Sequence, residues 1–310
     1  MSRLPPVEKL PLAIRKSVRD DWDSKKGDIE AKISETLGTA WTIDVNPNQI
    51  YAYSDSSAYA KENLGACIHE YFDGARRSLE EFVNYFGDDG VNELNSICHA
   101  HILTLDVDEE KRFSYCGNDV HEGQLRLLFN NLGSNISNAL DRDVLVKSLN
   151  SAPSPEGTPM SFKVRTDIRQ NYDPKAEEIR ARIAALVAKP DIKLNPNFEE
   201  NFAKLLAESQ AKKTELRQDW QDSLGNFTKF YFEGLASQLQ SQKFEDDELL
   251  QEGFNDVVDK GEVVFRIVDK LEKGTYNECV IQDGVLYIQT TPQRYGSNID
   301  NAAEKLVDLL

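Results

Sequence analysis

The sequence of this 310-residue chain repeats itself, and the repeat constrains the fold more than any single motif does. Residues 14–37 (IRKSVRDDWDSKKGDIEAKISETL) align without a gap with residues 164–187 (VRTDIRQNYDPKAEEIRARIAALV), and seven of the 24 aligned positions are identical. Each half also contains almost the same heptapeptide, GSNISNA at 133–139 and GSNIDNA at 296–302. Because the matches keep their order along the chain, we interpret it as a tandem duplication of one module.

The length of the chain agrees with two modules, since a single hydrophobic core rarely extends beyond about 250–300 residues. The repeat predicts a first module over 1–150, a linker over 151–163 and a second module over 164–310. The linker includes SAPSPEGTP, whose proline, serine and glycine residues are typical of loops. We expect the two modules to pack as a pseudo-symmetric internal dimer, in the manner of two identical subunits.

Each module is predicted to contain N-terminal helices, a three-stranded antiparallel sheet and a closing helix, which is an α+β fold. Asp173 and Pro174 are the residue types that begin a helix, so the aligned Asp23 predicts a helix over 24–37. A long helix that includes YFDG or YFEG follows in each module, and then a shorter one, over 89–96 or 247–258. Strands are predicted at 98–106, 112–117 and 123–130, and at 262–269, 276–281 and 285–290.

Side-chain alternation along the first strand of each sheet predicts which face is buried. In the second module the core face is assigned to Val263, Phe265 and Ile267. The heptapeptides are offset by 163 residues, and that offset places the core face of the first module at Ala100, Ile102 and Thr104. The open face then holds His99, His101, Leu103 and Leu105.

Charge and cysteine content exclude several classes of protein. The net charge of -17 disfavours binding to nucleic acid or to an anionic membrane, because both are normally bound by clusters of lysine and arginine. No segment reaches the roughly 20 apolar residues that a membrane span needs. The four cysteines do not form a disulfide framework, which favours a reducing, cytoplasmic location.

The histidines suggest the one place where chemistry could occur. His99 and His101 are two positions apart in a predicted strand, so they would point the same way, and His121, Cys116 or Glu122 could complete a zinc or iron site. The aligned residues of the second module are of other types, so such a site would belong to the first module alone. The alternative is that these are ordinary histidines on a partly covered sheet.

The sequence predicts a cytosolic, non-enzymatic binding protein with no cofactor, which takes a protein partner or a small-molecule ligand. Its surface would lie between the modules or on the first module, where the candidate residues are His99, His101, His121, Leu103 and Leu105. The alternative is a small-molecule enzyme with a histidine-centred site, in which a divalent metal would be held by His99, His101 and His121. No phosphate-binding loop, dinucleotide fingerprint or HExxH motif supports a more specific activity.

Overall fold

A computed structural model describes residues 3–154, 157–211 and 216–310, and these fall into two units, Met1–Gly157 and Thr158–Leu310. Each unit contains helices and one four-stranded mixed sheet, in outline the α+β class that the sequence predicts. Residues 155 and 156 of the predicted linker lie outside the described ranges. Within those ranges, no helix is both long and apolar enough to cross a membrane.

The first unit is built from six α-helices and four strands within its described residues. In chain order they are α1 (Leu12–Ser17), α2 (Ser24–Leu37), β1 (Thr42–Asp44), α3 (Pro47–Tyr51), α4 (Ala58–Glu62), α5 (Leu64–Ile97), β2 (Ile102–Val107), β3 (Cys116–His121), β4 (Gln124–Phe129) and α6 (Arg142–Ser151). A π-helical turn, Val18–Asp23, joins α1 to α2, and 3₁₀ turns lie at Ser54–Ser56 and Ile136–Asn138.

The second unit follows nearly the same order. Its elements are α7 (Phe162–Asp167), α8 (Asp173–Leu186), β5 (Lys193–Asn195), α9 (Phe198–Ala211), α10 (Leu224–Ser241), α11 (Glu248–Val257), β6 (Glu262–Ile267), β7 (Asn277–Gln282) and β8 (Val285–Thr290). A π-helical turn, Ile168–Tyr172, joins α7 to α8, and 3₁₀ turns lie at Trp220–Asp222, Phe244–Asp246, Ile299–Asn301 and Leu306–Leu309.

The predicted three-stranded antiparallel sheet is wrong in strand number and direction. The order is β1-β2-β4-β3 in the first unit and β5-β6-β8-β7 in the second, and only the last pair of each sheet is antiparallel. The antiparallel pair is a hairpin with a two-residue turn, Glu122-Gly123 or Asp283-Gly284, in which both residues have positive φ. The second strand of the hairpin, β4 or β8, pairs in parallel with β2 or β6, so β3 and β7 form sheet edges.

The predicted core face of the first unit is also wrong. Leu103 and Leu105 are buried, whereas Ile102 and Thr104 are partly exposed and Ala100 precedes the strand. The pairing of β1 with β2 and of β5 with β6 makes Ile102 the equivalent of Glu262, an offset of 160 residues instead of 163. The predicted offset is therefore wrong by three residues. Because side chains alternate along a strand, a shift by an odd number of residues moves every side chain to the opposite face.

The predicted helix over 24–37 matches α2, but Asp23 and Asp173 do not cap helix starts. Both have right-handed helical φ and ψ, and the helix runs on from α1 or α7 through the π-helical turn. The hydroxyl of Ser24 donates to the carbonyl of Asp20, 2.7 Å away. Such wide turns are rare inserts in α-helices, and here each joins two helices into one continuous run.

The later helices differ from the prediction in three places. The 89–96 helix is the last part of α5, beyond a kink at Gly87, while the 247–258 helix is confirmed as α11. After the heptapeptide, an α-helix closes only the first unit, and the second has 3₁₀ turns instead. Asn135 and Asn298 have a left-handed backbone conformation, and their side chains do not cap the 3₁₀ turns that follow. The heptapeptides are held by their first glycines, whose amides donate to the hydroxyls of Tyr71 and Tyr231.

Each π-helical turn packs against a glycine at the start of a later helix, α5 in the first unit and α10 in the second. The amide of Gly65 donates to the Ser17 hydroxyl at 3.2 Å, and a Cβ on Gly65 would lie 2.1 Å from the Ser17 carbonyl oxygen. In the second unit, the Asp167 carboxylate accepts from the amide of Gly225, where a Cβ would lie 2.6 Å from Cα of Ile168. Only glycine permits this approach of two backbones.

We expect Gly65→Ala to destabilise the first unit by about 2–3 kcal/mol, because the added methyl group can be accommodated only if backbone moves. The matched control is Gly27→Ala on α2, where a Cβ would meet no atom within 4 Å. That control should be neutral or stabilise by about 0.5–1 kcal/mol, since alanine favours helices. Urea unfolding measures both, and equal effects would refute a special role for Gly65.

Candidate functional site

The histidines of the first unit are not arranged as the sequence predicts. The strand begins at Ile102, so His99 and His101 lie in the turn before it and do not share a strand face. The His99 ring lies against Gly123, where a Cβ would be 2.4 Å from its Cε1 atom. The His101 ring lies against Trp41, with ring centroids 5.6 Å apart. His121 is exposed at the end of β3.

The histidines and their neighbours do not form a metal site in the described part of the chain. No three histidine, cysteine, aspartate or glutamate side chains come close enough there to hold a metal ion. Cys116 instead donates its thiol hydrogen to the carbonyl of Asn135, 2.9 Å away. The divalent-metal alternative for His99, His101 and His121 therefore has no ligand set among these residues.

The apolar part of the predicted binding surface lies inside the core. Leu103 pairs with Leu125 across β2 and β4, Leu105 pairs with Leu127, and all four are buried. Leu103 and Leu105 are 0% and 4% exposed, so neither side chain is accessible to a ligand at the surface. Of the five predicted surface residues, His99 and His121 are exposed and His101 is half-buried.

The unusual backbone of His101 has a structural origin. Its φ is 50°, and the equivalent residue of the second unit, Gly261, has φ 59°. Both carbonyls accept from the first residue of the neighbouring strand, Thr42 at 3.0 Å and Lys193 at 2.8 Å. The left-handed residue therefore sets the register of the first strand pair in each sheet.

A cavity of about 500 Å³ lies beside the edge strand β7 in the second unit. We call it the β7 groove. Its floor includes Cys279 and Ile281, which are partly buried and pack against the core. One wall is the loop 272–276, and the other is formed by residues of the segment 298–309. Charges of both signs surround it, at Glu272, Lys273, Glu304, Lys305 and Asp308.

In the first unit, helix α6 occupies the corresponding place. The hairpin registers make Asn118 the equivalent of Cys279, so Cys116 corresponds to Asn277 and not to Cys279. Ser148 on α6 donates to the Asn118 carbonyl at 2.8 Å, and the Asn118 side chain donates to the carbonyl of Ala139 at 3.1 Å. Ala302, the equivalent of Ala139 in the heptapeptide, lines the β7 groove. By the same offset of 163, the first residues of α6 correspond to 305–310, of which Lys305, Asp308 and Leu309 form part of the groove wall.

The loop wall of the groove is organised by the buried carboxylate of Glu278. It accepts three backbone amides, from Glu272 at 2.7 Å, Lys273 at 2.8 Å and Gly274 at 2.7 Å, and a fourth bond from the Gln289 side chain. Burial raises the pKa of Glu278, but these donors lower it more, so the net pKa lies below its ordinary value. The groove wall is therefore held by an ionised carboxylate.

Burial suppresses the reactivity of the four cysteines. It raises the pKa of the Cys116 thiol to about 11 and those of Cys67, Cys98 and Cys279 to about 12. Thiols with such pKa values are protonated at neutral pH, and the thiolate is the nucleophilic form. Cys279 is therefore suited to form an apolar groove floor.

The backbone of His101 gives a prediction. Left-handed φ costs a non-glycine residue about 1 kcal/mol, and it is worst for β-branched side chains. We expect His101→Gly to be more stable than His101→Val by at least about 1 kcal/mol, as measured by urea unfolding. Because both variants lack the imidazole ring, the opposite order would contradict the left-handed backbone conformation at position 101.

The carboxylate of Glu278 gives a second prediction. Its folded pKa is lowered, so its stabilisation is present in full above the unfolded value of about 4.5 and is lost as pH falls through the folded pKa. At pH 7, Glu278→Gln should reduce the unfolding free energy by about 1–3 kcal/mol. The difference from wild type should shrink at pH 3.

The matched control for Glu278→Gln is Glu272→Gln, an exposed carboxyl on the same loop. It should change the unfolding free energy by less than about 0.5 kcal/mol. A difference between wild type and Glu278→Gln that does not depend on pH would contradict the assignment of an ionised carboxylate.

Comparison with known proteins finds no match to the chain, whether among protein families, curated proteins or solved structures. The difference between the units at β3 and β7, one covered by a helix and the other beside a cavity, is the feature that most directly bears on its function.

Proposed function

We propose that the chain is a non-enzymatic binding protein and that the β7 groove is its binding site. One observation carries this proposal. Strand β7, the loop 272–276 and the segment 298–309 together enclose a cavity with an apolar floor and charges around it. Cavities of this size, with apolar lining and a few polar groups, are typical of binding sites.

The proposal includes a tandem duplication as the origin of the two units. Equal strand order, the paired π-helical turns and the glycine contacts at Gly65 and Gly225 support it. After a duplication, one copy can serve as scaffold while the other acquires a ligand. The covered first unit fits the role of scaffold, and the second unit fits the role of binder.

Charge and cysteine chemistry support a cytosolic protein that binds neither nucleic acid nor membrane. The four cysteines are unpaired, as is usual in a reducing compartment. The net charge of -17 opposes binding to phosphate backbones and to anionic lipids. A protein or a small organic molecule is the ligand class that remains.

The alternative, a histidine-centred enzyme in the first unit, has one observation in its favour. His101 lines a second cavity together with Asp88, Asn92 and Asn95. Its left-handed backbone is shared by Gly261, however, so the fold itself accounts for that conformation. We therefore favour binding over catalysis.

Titration with the fluorescent dye 8-anilinonaphthalene-1-sulfonate tests the proposed site. Its aromatic rings suit the floor at Cys279 and Ile281, and its sulfonate suits Lys273 or Lys305. We expect saturable binding by the folded protein and at least a tenfold loss of affinity in Ile281→Glu, because a carboxylate would then lie in an apolar floor.

The control is Gln282→Glu, which adds the same charge at the next, exposed position of β7. It should bind the dye as wild type does, and circular dichroism should show that both variants are folded. Equal dye binding by Ile281→Glu and wild type, or no binding by wild type, would refute the β7 groove as the site.

A further inference from the structure

We propose that the cavity beside His101 in the first unit binds a small aliphatic amine, whose ammonium group takes the place that Lys189 holds in the second unit. We call this space, of about 570 Å³, the His101 cavity. Its described lining residues all belong to the first unit, so its ligand is independent of the function proposed for the β7 groove. The first unit then has a ligand of its own in addition to its role as scaffold.

The lining of the His101 cavity favours a cation. Glu35 and Asp88 bring two carboxylates to it, and none of its described lining residues is a lysine or an arginine. Helix α2 ends at the cavity, with Leu37 and Gly38 in the lining, and a helix C-terminus carries partial negative charge. The last turn of α2 contains no basic residue to balance that charge. All of these groups stabilise a positive charge in the cavity.

The second unit shows which kind of cation fits, because its helix α8 ends in the same way as α2. In each unit an asparagine side chain donates to a carbonyl at the helix end, that of Leu37 at 2.8 Å and that of Val187 at 2.9 Å. A residue with positive φ follows each of these carbonyls. The next residue is Thr39 in the first unit and Lys189 in the second, so these two positions are equivalent.

The Lys189 side chain lies beside the residue that is equivalent to His101. That residue is Gly261, and a Cβ on it would lie 2.5 Å from the Lys189 Cε atom. A lysine near a helix C-terminus is favourable because its ammonium group interacts with the last carbonyls and with the helix dipole. Thr39 carries no charge and lines the His101 cavity. The second unit therefore supplies from its own chain the cation that a bound amine would supply to the first.

A backbone carbonyl of the first unit also differs from its equivalent in hydrogen bonding. In the second unit, the Gln251 side chain donates to the carbonyl of Leu186 at 3.2 Å. The equivalent residues, Val91 and Thr36, both line the His101 cavity, and a valine side chain has no donor. Within the described part of the chain, no hydrogen bond reaches the Thr36 carbonyl. An ammonium group has three donors, which suit this carbonyl and the carboxylates together.

Trp41 provides a reporter of binding. Its indole N–H donates at 2.9 Å to Oδ1 of Asn95, a residue of the cavity lining. The probe is n-butylammonium chloride, which has the methylene chain and the ammonium group of a lysine side chain. We expect it to shift the Trp41 indole signal in nitrogen–proton NMR spectra in a saturable manner. Sodium butyrate at the same concentration, an anion with the same number of carbons, should not shift it.

Three variants of the full-length chain locate the amine. Glu35→Gln and Asp88→Asn should each weaken binding of n-butylammonium at least threefold, because each removes a carboxylate from the lining. Asp89→Asn is the matched control, since it removes the same charge from the next, exposed position of α5. It should change the affinity by less than twofold. Equal losses in Asp88→Asn and Asp89→Asn would overturn the inference, because net charge alone would then attract the amine.

Thr39→Lys tests the equivalence with Lys189. The new side chain should occupy the His101 cavity and weaken n-butylammonium binding at least tenfold. Its control is Ala40→Lys, which adds the same charge at the next, exposed position and should lose less than threefold. Circular dichroism should show that all variants are folded. Unchanged binding by Thr39→Lys, or no saturable shift in wild type, would overturn the inference.

Discussion

In each unit, the structure depends on the close contact between the π-helical turn and a glycine at the start of α5 or α10. This contact fixes where α5 and α10 begin, at Leu64-Gly65 and Leu224-Gly225. Seven residues after each leucine, a buried tyrosine lies two helical turns further along, and its hydroxyl accepts the amide of the first heptapeptide glycine. The glycine contact therefore also sets where the chain turns after the last strand of each sheet.

The sequence could predict the elements whose signal is local. Helix α2, with its apolar residue every four positions, and the last two strands of the second unit agree closely with the structure. The order of strands could not be predicted, because three apolar runs in a row say nothing about which of them pair. Asp23 and Asp173 were wrongly predicted to cap helix starts. Aspartate often caps helices, but these two lie inside a continuous helix, where a π-helical turn passes into an α-helix.

The buried face of β2 was predicted wrongly because short insertions change the offset between the two units along the chain. The offset between equivalent residues is 160 at the first strand pair, 161 at the hairpins and 163 at the heptapeptides. The extra residues lie in loops, where they cost little. An offset measured at one motif therefore cannot be applied to a strand 30 residues away. That error placed Leu103 and Leu105 on a surface, and with them the predicted binding site.

The sequence directed attention to the histidines as the difference between the two units, whereas the structure shows a difference in the element that packs against the edge strand. An edge strand exposes unpaired backbone groups, and proteins usually protect such edges with charges, proline or a covering element. In the first unit α6 covers β3. In the second, β7 carries Cys279, Val280 and Ile281 in succession, which are apolar and of a type that favours strand pairing. The 3₁₀ turn Leu306–Leu309 contacts β7, so this edge is protected by a shorter element than α6, and the β7 groove lies beside that turn.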